Sequence, residues 1–207
     1  MRTRIKICGI SSTDIAHHAA QAGADAIGLM FYEPSVRHIS IERASTIPVI
    51  LPSFVSSVGV FVDPDPNYVE QVLSSVKLDY LQFHGDEDAQ FCRSYSLPYI
   101  KVLRVSESID LKKEEDKYPD ASSILLDTYS ESHYGGTGES FNWNKSRYGG
   151  NKPLLLAGGL TPENIADAVE TALPYGVDVS SGVETDGVKD KLKITEFCKN
   201  VLYADRG

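Results

Sequence analysis

Cysteine is scarce in this chain, with three residues at positions 8, 92 and 198 of 207. An odd number without metal-ligand spacing argues against a disulfide framework and for a reducing compartment. Long apolar runs are missing too, and nothing approaches the ~20 residues of a membrane-spanning helix. Positive charge is in deficit, with 20 Lys and Arg against 29 Asp and Glu and a formal net charge of −9. That balance argues against nucleic acid and anionic membrane as partners. An anionic small molecule then requires a locally positive site. No tract is low in complexity. A strand pattern starts almost at Met1, leaving no room for a signal peptide, so a cytoplasmic protein is expected.

What is present is a repeated alternation. The length suits one domain or at most two small ones, with a core burying about 70% of the unfolded surface. Arg4 to Ile10 reads as a short buried strand ending at a glycine, with Lys6 and Cys8 on one face and Ile5 and Ile7 on the other. Ser11 to Asp14 caps a helix that Gly23 stops. Further apolar runs follow at 26–31, 57–63, 80–85, 100–105, 123–127, 153–159 and 176–182. Helical patterns separate them, at 41–50, after Asp65-Pro66, at 87–95, 111–117, 143–147, after Thr161-Pro162 and at 189–202. The run 111–117 reads as a solvated helix surface, and Thr161 reads as a helix cap. Near-continuous apolar strands alternating with helices mean a parallel sheet. Eight such units predict a single-domain (β/α)8 TIM barrel over residues 1–207. A doubly wound open sheet is the alternative, but the first turn, Cys8 to Ser12, has one glycine and no nucleotide loop.

A barrel of this kind places its site at the carboxyl ends of the strands. That gathers Cys8, Arg37, Gln82, His84, Asp127, Gly158, Gly159, Asp178, Ser180, Ser181 and Gly182. The loops after strands seven and eight, with Gly158-Gly159 and Ser180-Ser181-Gly182, look like a phosphate site built from backbone N–H groups. Asp127 closes an apolar strand, suited either to act as an acid or to cap a helix or pair with a cation. His84 shares a face with Gln82 and is either catalytic or a buried ring bonded to backbone. Arg37 stands alone at the barrel mouth, where most arginines are merely solvated. Cys92 and Cys198 read as structural. The long stretch 128–140, with Gly136 and Gly138, reads as a flap over the site.

Together Lys6-Ile7-Cys8-Gly9-Ile10, Gly28-Leu29-Met30-Phe31, Leu81-Gln82-Phe83-His84-Gly85 and Gly135-Gly136-Thr137-Gly138 form a pattern that spans the chain in order. Leu156 to Leu160 and Asp178 to Glu184 continue it. It resembles the phosphoribosylanthranilate isomerases of tryptophan biosynthesis. Two positions depart from the family: Val36 stands where Pro is frequent, and Ser11 where Thr is common. The resemblance implies an Amadori rearrangement of N-(5-phosphoribosyl)anthranilate to 1-(2-carboxyphenylamino)-1-deoxyribulose 5-phosphate, with no metal or organic cofactor. It implies Asp127 as general acid, Cys8 as general base and Arg37 as the holder of the anthranilate carboxylate. Gln82, His84 and Asp178 are then further substrate-binding residues. Phosphate is expected at Gly136, Gly138, Gly158, Gly159, Ser180, Ser181 and Gly182. A Cys8 thiolate requires a positive local field, to which Lys6 contributes. The expected partner is a phosphosugar alone, bound by a monomer or homodimer. Another sugar-phosphate barrel isomerase, or a barrel that binds phosphosugars without turnover, is the competing reading.

Overall fold

The computed structural model describes residues 2–104, 110–127 and 150–206. Eight parallel strands close a barrel in sequence order: β1 Arg4–Cys8, β2 Ala26–Met30, β3 Ser56–Phe61, β4 Tyr80–Phe83, β5 Tyr99–Arg104, β6 Ser123–Asp127, β7 Leu154–Ala157 and β8 Gly176–Val179. Strand β1 closes the ring against β8 with Lys6 opposite Asp178, and meets β2 with Cys8 opposite Gly28. The expected TIM barrel is therefore the fold of the described residues.

The alternation along each strand divides the core in two. Ile5, Ile7, Ile27, Leu29, Leu126 and Val177 point outward into the layer between barrel and helices. Val58, Ile100, Val102, Leu125, Leu155 and Ala157 form a separate inner cluster. Both faces are dry, which is why the strands read as continuous apolar runs. Outside β2 and β3, Phe31 stacks on Phe61 with ring centroids 5.4 Å apart.

The helices are α1 Thr13–Ala22, α2 Ile41–Ser45, α3 Pro66–Ser75, α4 Ala89–Cys92, α5 Leu111–Asp116, α6 Ile165–Ala172 and α7 Lys191–Ala204. Ser12, Asp65 and Asp190 cap α1, α3 and α7 by accepting backbone N–H bonds, and Gly23 ends α1 in the left-handed conformation. Several expected bounds change. Helix 41–50 stops at Ser45 and resumes as a 3-10 turn at Pro48–Ile50. Helix 87–95 shrinks to one turn, Ala89–Cys92, which starts after Asp88 accepts the Phe91 N–H as its cap. Thr161 is not the cap of α6. The Asn164 side chain accepts the Thr161 N–H at 2.8 Å, so 161–164 forms a turn and the helix starts at Ile165. Helix α5 is not wholly solvated: Glu115 is buried and accepts the backbone N–H groups of Asn151 and Lys152. The helix expected at 143–147 lies outside the described residues. Among the described residues, no helix is long and apolar enough to cross a membrane.

One buried ion pair outside the barrel bears on its mouth. Lys101 Nζ donates to Glu87 Oε2 and to the Gly85 carbonyl, both at 2.7 Å. Glu87 also accepts the N–H groups of Asp63 and Gly85. Every lone pair facing the protein is thus used, the condition for burying such a pair without a large penalty. The result is a fixed turn after β4, directly behind His84.

Candidate active site

A cavity of about 470 Å3 opens at the carboxyl ends of the strands. Its volume lies in the range that small-molecule sites occupy. Cys8, Gln82, His84, Asp127 and Asp178 enter it from β1, β4, β6 and β8 or from the residue just beyond. Arg37 reaches it from the loop after β2, and Gly158, Gly159, Ser180, Ser181 and Gly182 form one wall. Every expected site residue within the described part of the chain therefore meets here. Gly136 and Gly138, like the whole 128–140 stretch, lie outside the described residues. A second cavity, about 640 Å3, opens at the opposite end of the barrel around Arg4, Ser56 and Tyr80. It contains neither Cys8 nor Asp127.

The floor beneath Cys8 is charged. Lys6 Nζ donates to Asp178 Oδ1 at 2.9 Å, with 5% and 8% of the two side chains exposed. It also bonds Cys8. Burial works against the Lys6 ammonium, but Asp178 and Cys8 outweigh it and hold its pKa above the ordinary lysine value. Burial likewise pushes the Cys8 thiol up; Lys6 opposes this, and Asp178 adds to it. The positive field expected at Cys8 is present, but it does not win: the thiol's net shift is upward. The neutral thiol is then the resting form at neutral pH, and Lys6 is placed to stabilise the thiolate once it forms.

Across the barrel, His84 Nε2 lies 3.1 Å from Asp127 Oδ2, each side chain about a quarter exposed. The His84 ring thus meets the Asp127 carboxyl group. Its backbone carbonyl accepts from Arg104 Nη2 at 3.2 Å. Asp127 is held by β6 in register with Arg104 and Ala157. Gln82 is nearly fully buried, and among the described residues its Oε1 has no hydrogen-bond partner. A buried carbonyl without a partner is costly, and Gln82 is one of the residues that line the cavity.

The glycine wall has a steric reason. Gly158 and Gly159 have φ of 86° and 64°, in the left-handed region. A Cβ on Gly159 meets nothing within 4 Å, so this position faces open space. At Gly182, in the 3-10 turn Ser181–Val183, a Cβ would lie 1.8 Å from the Leu160 carbonyl oxygen. The loops after β7 and β8 touch there. The first N–H groups of a helical turn have no partner within it.

Arg37 is not the lone cation that its sequence context suggested. Its Nε and Nη2 donate to the two oxygens of Glu184, both at 2.7 Å. Lys189 joins them, donating to Glu184 and, at 3.0 Å, to the Ser180 carbonyl. The Arg37 N–H donates to Ser35 Oγ at 3.1 Å, so the loop is turned tightly even with an exposed Val36 in place of Pro. Sequence reasoning gave no role to Glu184 or Lys189, nor to Met30 and Leu160, which line the cavity. Alternation along β2 marks Met30 as inward; nothing local marks Glu184 as the partner of a residue 147 positions away.

A model of the N-(5'-phosphoribosyl)anthranilate (PRA) isomerases matches residues 5–200. The chain is 50% identical over 199 residues to the N-(5'-phosphoribosyl)anthranilate isomerase of Pseudomonas fluorescens Pf0-1, covering 96% of this chain and 98% of that protein. It is 51% identical over 204 residues to the enzyme of Pseudomonas paraeruginosa, covering 98% and 97%. Among solved structures, phosphoribosyl anthranilate isomerase from Thermotoga maritima superposes with a TM-score of 0.86 at 41% identity, covering 96% of this chain and 98% of that one. Another, in complex with reduced 1-(o-carboxyphenylamino)-1-deoxyribulose 5-phosphate, gives 0.83 at 40% identity with the same coverage. By these matches over nearly its whole length, the chain belongs to the N-(5'-phosphoribosyl)anthranilate isomerase family.

Proposed function

We infer that Cys8 and Asp127 carry out, from two sides of one cavity, the isomerisation that defines this family. N-(5'-phosphoribosyl)anthranilate becomes 1-(2-carboxyphenylamino)-1-deoxyribulose 5-phosphate, a step of tryptophan biosynthesis. The observation that carries the reading is the placement of a thiol on β1 and a carboxyl on β6 at the mouth of the same cavity. An Amadori rearrangement needs one acid and one base on either side of a sugar. Asp127 gives its proton to the furanose ring oxygen as the C1′–O bond breaks. The anthranilate nitrogen supplies the electron pair that makes the C1′=N Schiff base. Cys8, as thiolate, removes the C2′ proton, and the C–H electrons form C1′=C2′ while nitrogen recovers its pair. The enolamine then tautomerises to the ketone, with a proton lost from the C2′ hydroxyl and one gained at C1′.

Lys6 offsets the thiolate charge, and Asp178 keeps Lys6 in place. His84 holds the Asp127 carboxyl group on the sugar's side of the barrel. Arg37 receives the anthranilate carboxylate. Gly158, Gly159, Ser180, Ser181 and Gly182 hold the phosphate, chiefly through backbone donors, together with Gly136 and Gly138. Gln82 Oε1 accepts a substrate hydroxyl. The whole chain forms one domain, working as a monomer or homodimer. One solved relative is described as monomers of a dimeric enzyme. Loss of substrate fluorescence on adding the purified protein tests the function. A protein that leaves N-(5'-phosphoribosyl)anthranilate unconsumed is not this enzyme.

A further inference from the structure

Beyond β8 the chain makes a small antiparallel ribbon, β9 Glu184–Thr185 with β10 Val188–Lys189, in which Lys189 stands opposite Glu184. The mechanism above leaves this ribbon without a task. Its two charged side chains are nonetheless almost wholly buried, 7% exposed for Glu184 and 5% for Lys189. They meet Arg37 at the cavity. Arg37 and Lys189 together against Glu184 leave one net positive charge there.

A guanidinium is a rigid plane with five N–H donors, able to engage two carboxylates along two of its edges. Glu184 takes the edge formed by Nε and Nη2. The end formed by Nη1 and the second Nη2 proton is left over, and among the described residues Nη1 makes no hydrogen bond. The stem of Arg37 is confined as well. It crosses Gly9, where a Cβ would lie 2.7 Å from Arg37 Cδ and 3.3 Å from its Cβ. Gly9 has φ of 75°, which itself favours glycine. One edge of the plane is therefore tied, the stem is pinned, and Arg37 lines the cavity.

We propose that Glu184 is a positioning residue, which fixes Arg37 by one edge so that its Nη1–Nη2 end meets the carboxylate of the anthranilate ring, while Lys189 holds Glu184 and offsets its charge. This rests on the reading that Arg37 receives that carboxylate. Pre-orienting a fork that would otherwise sample many rotamers lowers the entropy cost of binding. It also explains an acidic side chain beside the binding site of an anion. Glu184 does not repel the substrate, because its charge is spent on two cations.

The test compares Glu184→Gln, Arg37→Ala and the double variant for KM, kcat and inhibition by inorganic phosphate. Glu184→Gln is expected to raise KM by about tenfold, ~1.4 kcal/mol. Its kcat is expected to stay within about threefold, the signature of lost uniform binding. Inhibition by inorganic phosphate, which has no carboxylate, stays at the wild-type level. The double variant loses no more than Arg37→Ala alone, because one acts through the other. A KM within about twofold of wild type, strictly additive losses, or a parallel loss of phosphate inhibition overturns the proposal. If Glu184→Gln fails to fold, Glu184→Asp, with the charge kept and the reach shortened, carries the same comparison. Wild-type protein without isomerase activity instead refutes the functional reading, and an Arg37→Ala variant with wild-type KM refutes the assignment of the carboxylate to Arg37 and the proposal with it.

Discussion

Gly28 stands directly opposite Cys8 on the neighbouring strand. A Cβ there would lie 2.7 Å from Cys8 Sγ, 3.1 Å from Cys8 Cα and 3.1 Å from Lys6 Nζ. Ordinary contacts between heavy atoms begin at ~3.5 Å, so in Gly28→Ala the sulfur has to move by roughly 1 Å. The strand has no freedom to take up the displacement instead. The Gly28 carbonyl accepts the N–H groups of Gly9 and Ile10 at 3.0 and 2.9 Å, and Cys8 Cα is itself one of the clashing atoms. The sulfur therefore leaves its place against Lys6. A misplacement of about 1 Å at a reacting atom costs on the order of 10²-fold in rate. Overpacking by one methyl costs about 1–3 kcal/mol of stability. For a chain of this length that is a melting-temperature drop of roughly 2–12 °C. The assay is kcat/KM by substrate fluorescence, with a thermal melt to show that the variant is folded at the assay temperature. A folded Gly28→Ala with kcat/KM within about threefold of wild type refutes the placement of Cys8 as the base.

Three further outcomes follow from the same geometry. Because burial holds the Cys8 thiol above its ordinary value, the rate at which iodoacetamide alkylates Cys8 should climb as pH rises through neutrality, up to about tenfold per unit, since the reactive thiolate is the minor form there. Lys6→Met should move that inflection further up; a profile already flat from neutral pH contradicts the upward shift. Arg37→Ala should weaken product binding by about 1.5–3 kcal/mol, the worth of a hydrogen bond to a charged group. Calorimetry giving equal affinities would make Arg37 irrelevant to recognition. Gly159→Val, which puts a side chain into open cavity space, and Gly182→Ala, which pushes against the Leu160 carbonyl, should each raise the phosphate dissociation constant at least about tenfold. Lys77→Ala on the exposed surface should leave it unchanged, and silent glycine variants would move the phosphate site elsewhere.

The barrel was legible in the sequence because the strands are largely buried on both faces and most helix starts carry their own caps. Strand β6 appears at 123–127 as expected, and Ser12 and Asp65 do what their positions implied. The mouth residues were legible for the same reason: a polar side chain at the end of an apolar strand has few places to go. What stayed hidden is pairwise and long-range. Lys6 meets Asp178 across 172 positions, and Arg37 meets Glu184 across 147. No local pattern records such partners, so Arg37 stands alone in the sequence and Glu184 has no evident role there. The Cys8 thiol shifted the other way for a related reason. Its burial is a property of the closed barrel, and it outweighs the one neighbouring lysine that the strand pattern identified. Asn164 shows the limit of cap reading. Its side chain bonds back to the Thr161 N–H and delays α6 by a turn.

The most direct measurement of the central claim is turnover of N-(5'-phosphoribosyl)anthranilate by wild type, Cys8→Ser and Asp127→Asn, purified and shown to be folded. Both substitutions conserve shape at strand ends, so little packing is disturbed. Serine is a far poorer base than a thiol, and asparagine has no proton to give. The account predicts rapid substrate loss with wild type and a fall of at least ~10²–10⁴-fold with each variant, the contribution of one proton-transfer group. A folded Cys8→Ser retaining more than about a tenth of wild-type activity would show that the base is elsewhere.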